Sequence, residues 1–205
     1  VYPVPQTSFT TELSEGCSPL NIPITNQSVG VTQYDWNFGN GNSTNSFQNY
    51  THQYSNLEDN PLSFVINLNG SNQYGCSSQI SKTINVYPEV SADFSTDDNI
   101  FKGCTPFMPN FVNHSQRAPI YTWDFGTGTT STNTNPSHMF ITLPAIDSVY
   151  TVSLLSKSVY GCSDTILKEV TVYPQPSADF HATPYVQTYP ETTITLNNQS
   201  IPGNW

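Results

Sequence analysis

Basic residues are nearly missing from this chain. Five lysines and arginines stand against 15 acidic residues, giving a formal net charge of −10. Lys82, Lys102, Arg117, Lys157 and Lys168 are scattered, and no two are adjacent. A nucleic-acid partner requires clustered cations that release counterions from phosphates, so DNA, RNA and anionic membrane surfaces are not expected partners. Charge of either sign is scarce, at 10% of the chain, while Ser, Thr, Asn and Gln are abundant. A neutral polar surface of that kind fits an extracellular protein. No apolar run approaches the roughly 18 residues of a membrane span, so membrane insertion is not expected. Helical periodicity is also lacking. Cysteine is limited to four residues with no close C-x-x-C pair, which argues against a zinc site. No Ser, His and Asp set recurs, and neither a catalytic cysteine context nor a phosphate-binding glycine loop is present, so the chain is not expected to be an enzyme. No signal peptide is visible. Val1 falls inside a repeat linker, so the chain reads as a piece of something longer.

What the chain does have is repetition, about every 86 residues. Val1-Tyr2-Pro3 recurs as Val86-Tyr87-Pro88 and Val172-Tyr173-Pro174. Tyr74-Gly75-Cys76 recurs as Tyr160-Gly161-Cys162, and Trp36-Asn37-Phe38-Gly39 as Trp123-Asp124-Phe125-Gly126. Asn26-Gln27-Ser28, Asn113-His114-Ser115 and Asn198-Gln199-Ser200 mark one point in three successive copies. The period is close to a common domain size, so each copy can bury its own core. The organisation expected is repeat 1 over residues 4–88, repeat 2 over 89–174, and the N-terminal part of an incomplete third repeat over 175–205.

Within a copy the hydrophobic pattern alternates. Phe64, Ile66 and Leu68 point one way, and Tyr150, Val152 and Leu154 take the same places in the second copy. This predicts strands with one buried face. Further strands are predicted at 8–11, 20–25, 31–38, 80–86 and 166–172. Lys82 and Lys168 share the parity of the buried residues, so either a bulge resets the phase or the lysine snorkels. About seven short strands per copy, separated by turn residues, predict an all-β chain of tandem antiparallel sandwiches. Proline-bearing linkers without glycine predict a semi-rigid rod.

Cys17 aligns with Cys104, and Cys76 with Cys162. The simplest pairing is Cys17–Cys76 and Cys104–Cys162, each closing a loop of about 60 residues and worth roughly 4 kcal/mol in the chain-entropy model. Disulfides imply an oxidising compartment. In the third copy the Cys17 position is Tyr189, so that copy is expected to lack the bridge.

Tyr121-Thr122-Trp123-Asp124-Phe125-Gly126-Thr127-Gly128 resembles the Y-x-W-D-F-G-D-G signature of PKD (polycystic kidney disease) domains. Asn135-Pro136-Ser137-His138-Met139-Phe140 resembles the family's N-P-x-H-x-Y element. The first copy departs from the signature at Asn37, Asn40 and Thr51-His52-Gln53-Tyr54, and the second at Thr127. The cysteine-bearing tandem subtype is similar to repeats of very large Bacteroidota surface proteins, including gliding-motility adhesins and other cargo of the type IX secretion system. The resemblance implies an Ig-like, PKD-type sandwich on the bacterial cell surface. It also implies an adhesive or spacer role, an extracellular protein or glycan partner, and secretion-machinery components as partners during export. The alternative is an accessory module of a secreted polysaccharide- or protein-degrading enzyme.

Several residues are candidate sites. Trp36 and Trp123 are expected in the core rather than as sugar platforms. His52 and His138 recur at one position with no carboxylate at fixed spacing, which favours a structural role. The carboxylate pair Glu58-Asp59 has no counterpart in the other copy and reads as loop charge. Asp93 and Asp179 recur at the junctions, with Asp97 and Asp98 near the first, and form a weak Ca²⁺ candidate. Tyr34, Tyr50, Tyr54, Tyr121 and Tyr185 are candidates for a binding face. Asp147-Ser148-Val149 and Asp164-Thr165-Ile166 resemble the O-glycosylation pattern of Bacteroidota, which makes Ser148 and Thr165 candidate acceptors.

Overall fold

A computed structural model describes residues 2–144, 146–186, 190 and 193–200. Among the described residues every regular element is a strand. The first repeat contributes β1 (Phe9–Thr11), β2 (Glu15–Cys17), β3 (Leu20–Asn26), β4 (Gln33–Asn37), β5 (Ser43–Thr44), β6 (Tyr50–Tyr54), β7 (Leu62–Ser71) and β8 (Ser77–Tyr87). The second contributes β9 (Phe94–Thr96), β10 (Lys102–Cys104), β11 (Phe111–Asn113), β12 (Ile120–Asp124), β13 (Thr130–Ser131), β14 (Ser148–Lys157) and β15 (Ser163–Tyr173). The third supplies β16 (Phe180–Thr183) and β17 (Thr195–Asn198). The expectation of seven strands holds for the second repeat; the first has eight. In the first repeat the strands not predicted are β2 and β5, of three and two residues and too short to show alternation, and the five-residue β6, whose Thr51, His52 and Gln53 break the apolar pattern.

By its internal contacts the chain forms two compact units. Unit 1 comprises Val1–Ser91, Arg117–Pro119 and Lys157–Ser163, and unit 2 comprises Ala92–Gln116, Ile120–Ser156 and Asp164–Trp205. Unit 1 is a sandwich of a three-stranded sheet, in the order β1-β3-β6, and a five-stranded sheet, β2-β8-β7-β4-β5. Its core draws Phe9, Ile22, Ile24 and Tyr54 from the first sheet and Trp36, Ile66, Leu68, Ile84 and Val86 from the second. The inward residues fall at alternate positions because successive side chains of a strand leave on opposite faces. Unit 2 repeats the design with the five-stranded sheet β10-β15-β14-β12-β13 and a two-stranded pair, β11-β9. Phe94, Phe111, Trp123, Phe125, Phe140, Val152, Leu154, Val170 and Val172 fill its core.

Two expectations are refined. Each five-stranded sheet carries one parallel strand at its edge: β2 runs parallel to β8, and β10 to β15. These strands arrive from the opposite sheet rather than through a hairpin, so nothing obliges them to run antiparallel. The lysine question also resolves. The β7–β8 ladder runs unbroken from Leu62↔Val86 to Ser71↔Ser77, with Lys82 opposite Ile66, so no bulge resets the phase. Lys82 instead sets its ammonium 5.3 Å from the Phe9 ring centroid, and Lys168 sits 5.1 Å from that of Phe94. A cation over an aromatic face keeps its charge solvated on one side while the stem is buried.

The Asn-x-Ser motif has one structural meaning in all three copies. Its asparagine closes the strand paired with the first strand of the repeat, in one register throughout: Phe9↔Asn26, Phe94↔Asn113 and Phe180↔Asn198. The asparagine Oδ1 accepts the backbone N–H of the serine at 3.1, 2.8 and 2.9 Å. The serine Oγ then accepts the backbone N–H of Ser8, Asp93 or Asp179. This is an Asx turn tied back to the neighbouring strand. Asn26, Asn113 and Asn198 are thus turn residues.

In the third copy the strand pair exists without a facing sheet among the described residues. Phe180 is 66% exposed, whereas its counterparts Phe9 and Phe94 are 1% and 0% exposed. Tyr189, at the position of Cys17, lies outside the described residues.

Candidate functional site

The Trp-x-Phe-Gly motif is a structural knot in both repeats. Trp36 and Trp123 are buried, as expected, and each indole N–H finds a backbone acceptor: Ser46 O at 3.1 Å and Asn133 O at 2.9 Å. The next residue, Asn37 or Asp124, accepts the backbone N–H of the motif glycine through its side-chain oxygen, at 2.8 and 2.9 Å. An amide oxygen serves there as well as a carboxylate, which explains why the first repeat tolerates asparagine. The glycine is required twice over. Gly39 and Gly126 have φ of 78° and 71°, and a Cβ on either would lie 2.7 Å from backbone atoms of Val65 or Thr151.

His52 and His138 stack on the motif phenylalanine, with ring centroids 4.1 and 4.3 Å apart and nearly parallel planes. Each imidazole also bonds the residue that replaces the second signature aspartate, Asn40 in one repeat and Thr127 in the other. Burial holds both imidazoles below their ordinary pKa. Among the described residues no carboxylate stands beside either ring to orient it towards a nucleophile. Both rings are stacked and hydrogen-bonded in place.

The cysteines pair differently from the expectation. Cys17 is bonded to Cys162, with the Cα atoms 5.6 Å apart and 145 residues between them in sequence. Cys76 and Cys104 are free thiols. Strand topology rules out the pairing within a repeat. Cys17 is in register with Tyr87 at the end of β8, while Cys76 immediately precedes the first residue of that 11-residue strand. At about 3.3 Å per residue the two lie on the order of 30 Å apart, far beyond the roughly 7 Å that a disulfide spans. Cys104, in register with Tyr173, and Cys162, just before β15, are separated in the same way. Recurrence in the sequence reveals that the cysteines are equivalent in pairs. It does not distinguish a partner in the same copy from one in the next.

Around the bond, Tyr87 stacks on Tyr160 with centroids 4.9 Å apart and planes 5° apart. Glu15, hydrogen-bonded to the Tyr87 phenol, raises its pKa. The turn that carries Cys162 is closed by Ser158, whose Oγ accepts the Cys162 N–H at 3.1 Å.

The remaining candidates are dispersed. Asp93 bonds Lys168 at 2.9 Å, and that ammonium holds its carboxyl below the usual range. Asp97 accepts from Asn110 Nδ2, and Asp98 accepts from Thr96 and from the Ile100 N–H within its own turn. Asp179 borders the third-copy strand pair, where its main chain bonds Ser200. Among the described residues no three His, Cys, Asp or Glu side chains gather where they could hold a metal ion. Ser148 Oγ is hydrogen-bonded to Thr142 Oγ1 at 2.6 Å, whereas Thr165 is exposed on β15. Glu58 and Asp59 are exposed in the β6–β7 connection.

The tyrosines separate into three groups. Tyr54 is wholly buried; its hydroxyl donates to Phe38 O at 2.9 Å, and burial pushes its pKa up to about 12. Tyr50 and Tyr185 are exposed. Tyr34 and Tyr121 are half-buried against their cores. Tyr34 also lines an open depression with Thr32, Gln33, Asn45 and Phe47, and Phe47 is 67% exposed. An aromatic face beside amide and hydroxyl groups can stack on a sugar ring and bond its hydroxyls. Phe47 was not among the sequence candidates, because its exposure depends on the β5–β6 connection and not on any motif.

Residues 85–172 match the PKD domain family. No curated protein matches the chain. Among solved structures, the chain is similar to carbohydrate-binding modules of the β-sandwich superfamily at 18% identity, over 76% of this chain and 55% of that one, with a TM-score of 0.38. It thus spans about half the length of that protein. It is similar to fibronectin(III)-like modules of Clostridium thermocellum CbhA at 7% identity, over 82% of this chain and 94% of that one, with a TM-score of 0.35. It is also similar to a 1.5-MDa bacterial ice-binding adhesin at 11% identity, over 85% and 67% of the two chains, with a TM-score of 0.31.

Proposed function

We propose that the chain is a non-catalytic stretch of a secreted bacterial surface array, which acts as a semi-rigid spacer and presents protein- or glycan-binding faces. The observation that carries this reading is the Cys17–Cys162 bond, which ties one repeat to the next instead of stapling a repeat to itself. A cross-repeat bond does nothing for a chemical site, but it limits how far consecutive repeats can part. A disulfide also fits an extracytoplasmic compartment. The proline-bearing linker segments Val86-Tyr87-Pro88 and Val172-Tyr173-Pro174 support restricted motion. The open depression beside Phe47 and Tyr34 supports a glycan or polar peptide as partner. Attachment to the cell surface and export through the type IX system, as for gliding-motility adhesins, belong to the same proposal. So does O-glycosylation, for which exposed Thr165 is the better placed acceptor.

Small-angle scattering of the oxidised chain tests the spacer. A well-defined maximum dimension that broadens in Cys17→Ser supports it, and a broad distance distribution in the oxidised chain overturns it. Glycan-array binding that disappears in Phe47→Ala supports the binding face. Surface labelling in a Bacteroidota host with and without its type IX machinery tests export, and intact mass of the protein from that host tests glycosylation.

A further inference from the structure

Cys76 and Cys104 are free, yet each stands in surroundings that match those of a bonded cysteine. Cys104 is the counterpart of Cys17. Cys17 ends a strand parallel to β8, in register with Tyr87, and the next residue, Ser18, donates its N–H to Tyr87 O at 3.0 Å. Cys104 ends a strand parallel to β15, in register with Tyr173, and Thr105 donates its N–H to Tyr173 O at 2.9 Å.

Cys76 is the counterpart of Cys162. Both end a Tyr-Gly-Cys turn whose glycine has positive φ, 81° at Gly75 and 87° at Gly161. In both, the cysteine N–H is accepted by a side chain four residues back, Asn72 Oδ1 at 3.1 Å or Ser158 Oγ at 3.1 Å. The cysteine carbonyl accepts the N–H of that same residue. Both turn tyrosines are stacked by the tyrosine of a Val-Tyr-Pro segment: Tyr87 on Tyr160, and Tyr2 on Tyr74 at 4.3 Å and 13°. Apart from the capping side chain, the difference lies in cover. Cys162 is 3% exposed, while Cys76 is only part-buried.

The two free thiols are thus the two unlike halves of the staple already closed between Cys17 and Cys162. We propose that each takes a cysteine from a further repeat of this kind joined head to tail. Cys76 receives the cysteine at the Cys17 position of a preceding repeat, and Cys104 receives the Tyr-Gly-Cys cysteine of a following one. One staggered disulfide then crosses every repeat boundary that has both residues. Closing each bond removes two protons and two electrons from two thiols. A disulfide oxidant accepts them by thiol–disulfide exchange; oxidised glutathione, for example, leaves as two molecules of the thiol.

The test begins with the chain itself, oxidised in a glutathione buffer and digested without reduction. The expected result is a Cys17–Cys162 peptide, with maleimide labelling confined to Cys76 and Cys104. A tandem construction then follows residues 1–171 directly with residues 1–205, so that the second Val-Tyr-Pro takes the place of the original 172–174. One new peptide is expected, joining Cys104 of the first block to Cys76 of the second, while Cys76 of the first and Cys104 of the second stay labelled. Cys104→Ser in the first block removes that peptide alone. The Cys17–Cys162 peptides of both blocks report that each is folded. With those present, continued labelling of the first Cys104 overturns the proposal. So do peptides joining Cys17 to Cys76 or Cys104 to Cys162, and so does a bond formed only between separate chains.

Discussion

The two complete repeats share a register and a core, and they differ at the sheet that faces the five-stranded one. In the first repeat β3 pairs with β6 over five residue pairs, from Leu20↔Tyr54 to Ile24↔Tyr50. In the second the same ladder is reduced to isolated bridges, Phe107↔Phe140 and Asn110↔Ser137. Two prolines account for the loss. Pro109 stands where the first repeat has Ile22, and Pro136 where it has Tyr50. A proline has no N–H to donate, so each removes one ladder bond. The first repeat also has a proline in this sheet, Pro23. It lies just past the last β1–β3 pair, Thr11↔Ile24, where one flank of β3 has no neighbour. One residue type is harmless at an unpaired flank and disruptive within a ladder, while the core behind it stays intact.

The largest expected contrast concerns equivalent cysteines. Cys17→Ser opens a loop of 145 residues and is expected to cost on the order of 5 kcal/mol in the chain-entropy model. Cys104→Ser in this chain is expected to cost nothing measurable. Denaturant titration of the two variants under oxidising conditions decides; equal effects would mean that the bonding differs from that described. Next in size, Trp36→Ala and Trp123→Ala are each expected to cost about 3–5 kcal/mol through loss of a buried ring. A cost below about 1 kcal/mol in either repeat would show that its tryptophan is not part of the core.

Tyr54 and Phe140 occupy one position, and only the first carries a hydroxyl. Tyr54→Phe leaves the Phe38 carbonyl without that donor and is expected to cost about 1 kcal/mol. The phenol has a folded-state pKa of about 12 against about 10 when unfolded. The unfolded chain therefore loses its proton first, and this part of the stability falls as pH rises from about 10 towards 12. Tyr54→Phe is expected to remove that portion of the alkaline decline, measured by thermal melting across the alkaline range.

The smallest effect concerns the histidines. With both imidazoles held below their ordinary pKa, the unfolded chain binds protons first on acidification. Stability is complete above about pH 6.5 and declines as pH falls below it. Thr127→Asp places a carboxylate beside His138 and is expected to raise its folded pKa. That contribution is then present at acid pH and lost as pH rises through the new value. Imidazole NMR titration together with melting between pH 5 and 7 checks both signs; a carboxylate at 127 that leaves the His138 titration unmoved would refute the pairing.

Much of the fold was legible because it is written in alternation. Phe64, Ile66 and Leu68 announce the inward row of β7, and the burial of the tryptophans follows from their place among strand residues. Asn-x-Ser and the motif glycines declare turns by their chemistry. What stayed illegible depends on contacts between distant segments. β2 and β5 are too short to carry a period. The loss of the β3–β6 ladder in the second repeat needs the opposite strand to be known before Pro109 and Pro136 acquire meaning. Tyrosine burial is set by the facing sheet, so Tyr54 and Tyr50, four residues apart, have opposite fates. The cysteine partners were hidden most deeply, since only the length of β8 and the register of β2 show that Cys17 and Cys76 lie far apart.

The Cys17–Cys162 bond also defines a path for mechanical load. If the chain is pulled from its two ends, tension runs through residues 1–17, crosses the sulfur bridge and leaves through 162–205. The intervening segment, which holds nearly all of both hydrophobic cores, carries no tension. At roughly 3.4 Å per extended residue, on the order of 500 Å of contour length stays stored until the bond is reduced. A reductant would expose both sandwiches to the pull, and the chain would then lengthen as they unfold, so thiol chemistry decides whether that length can be drawn upon.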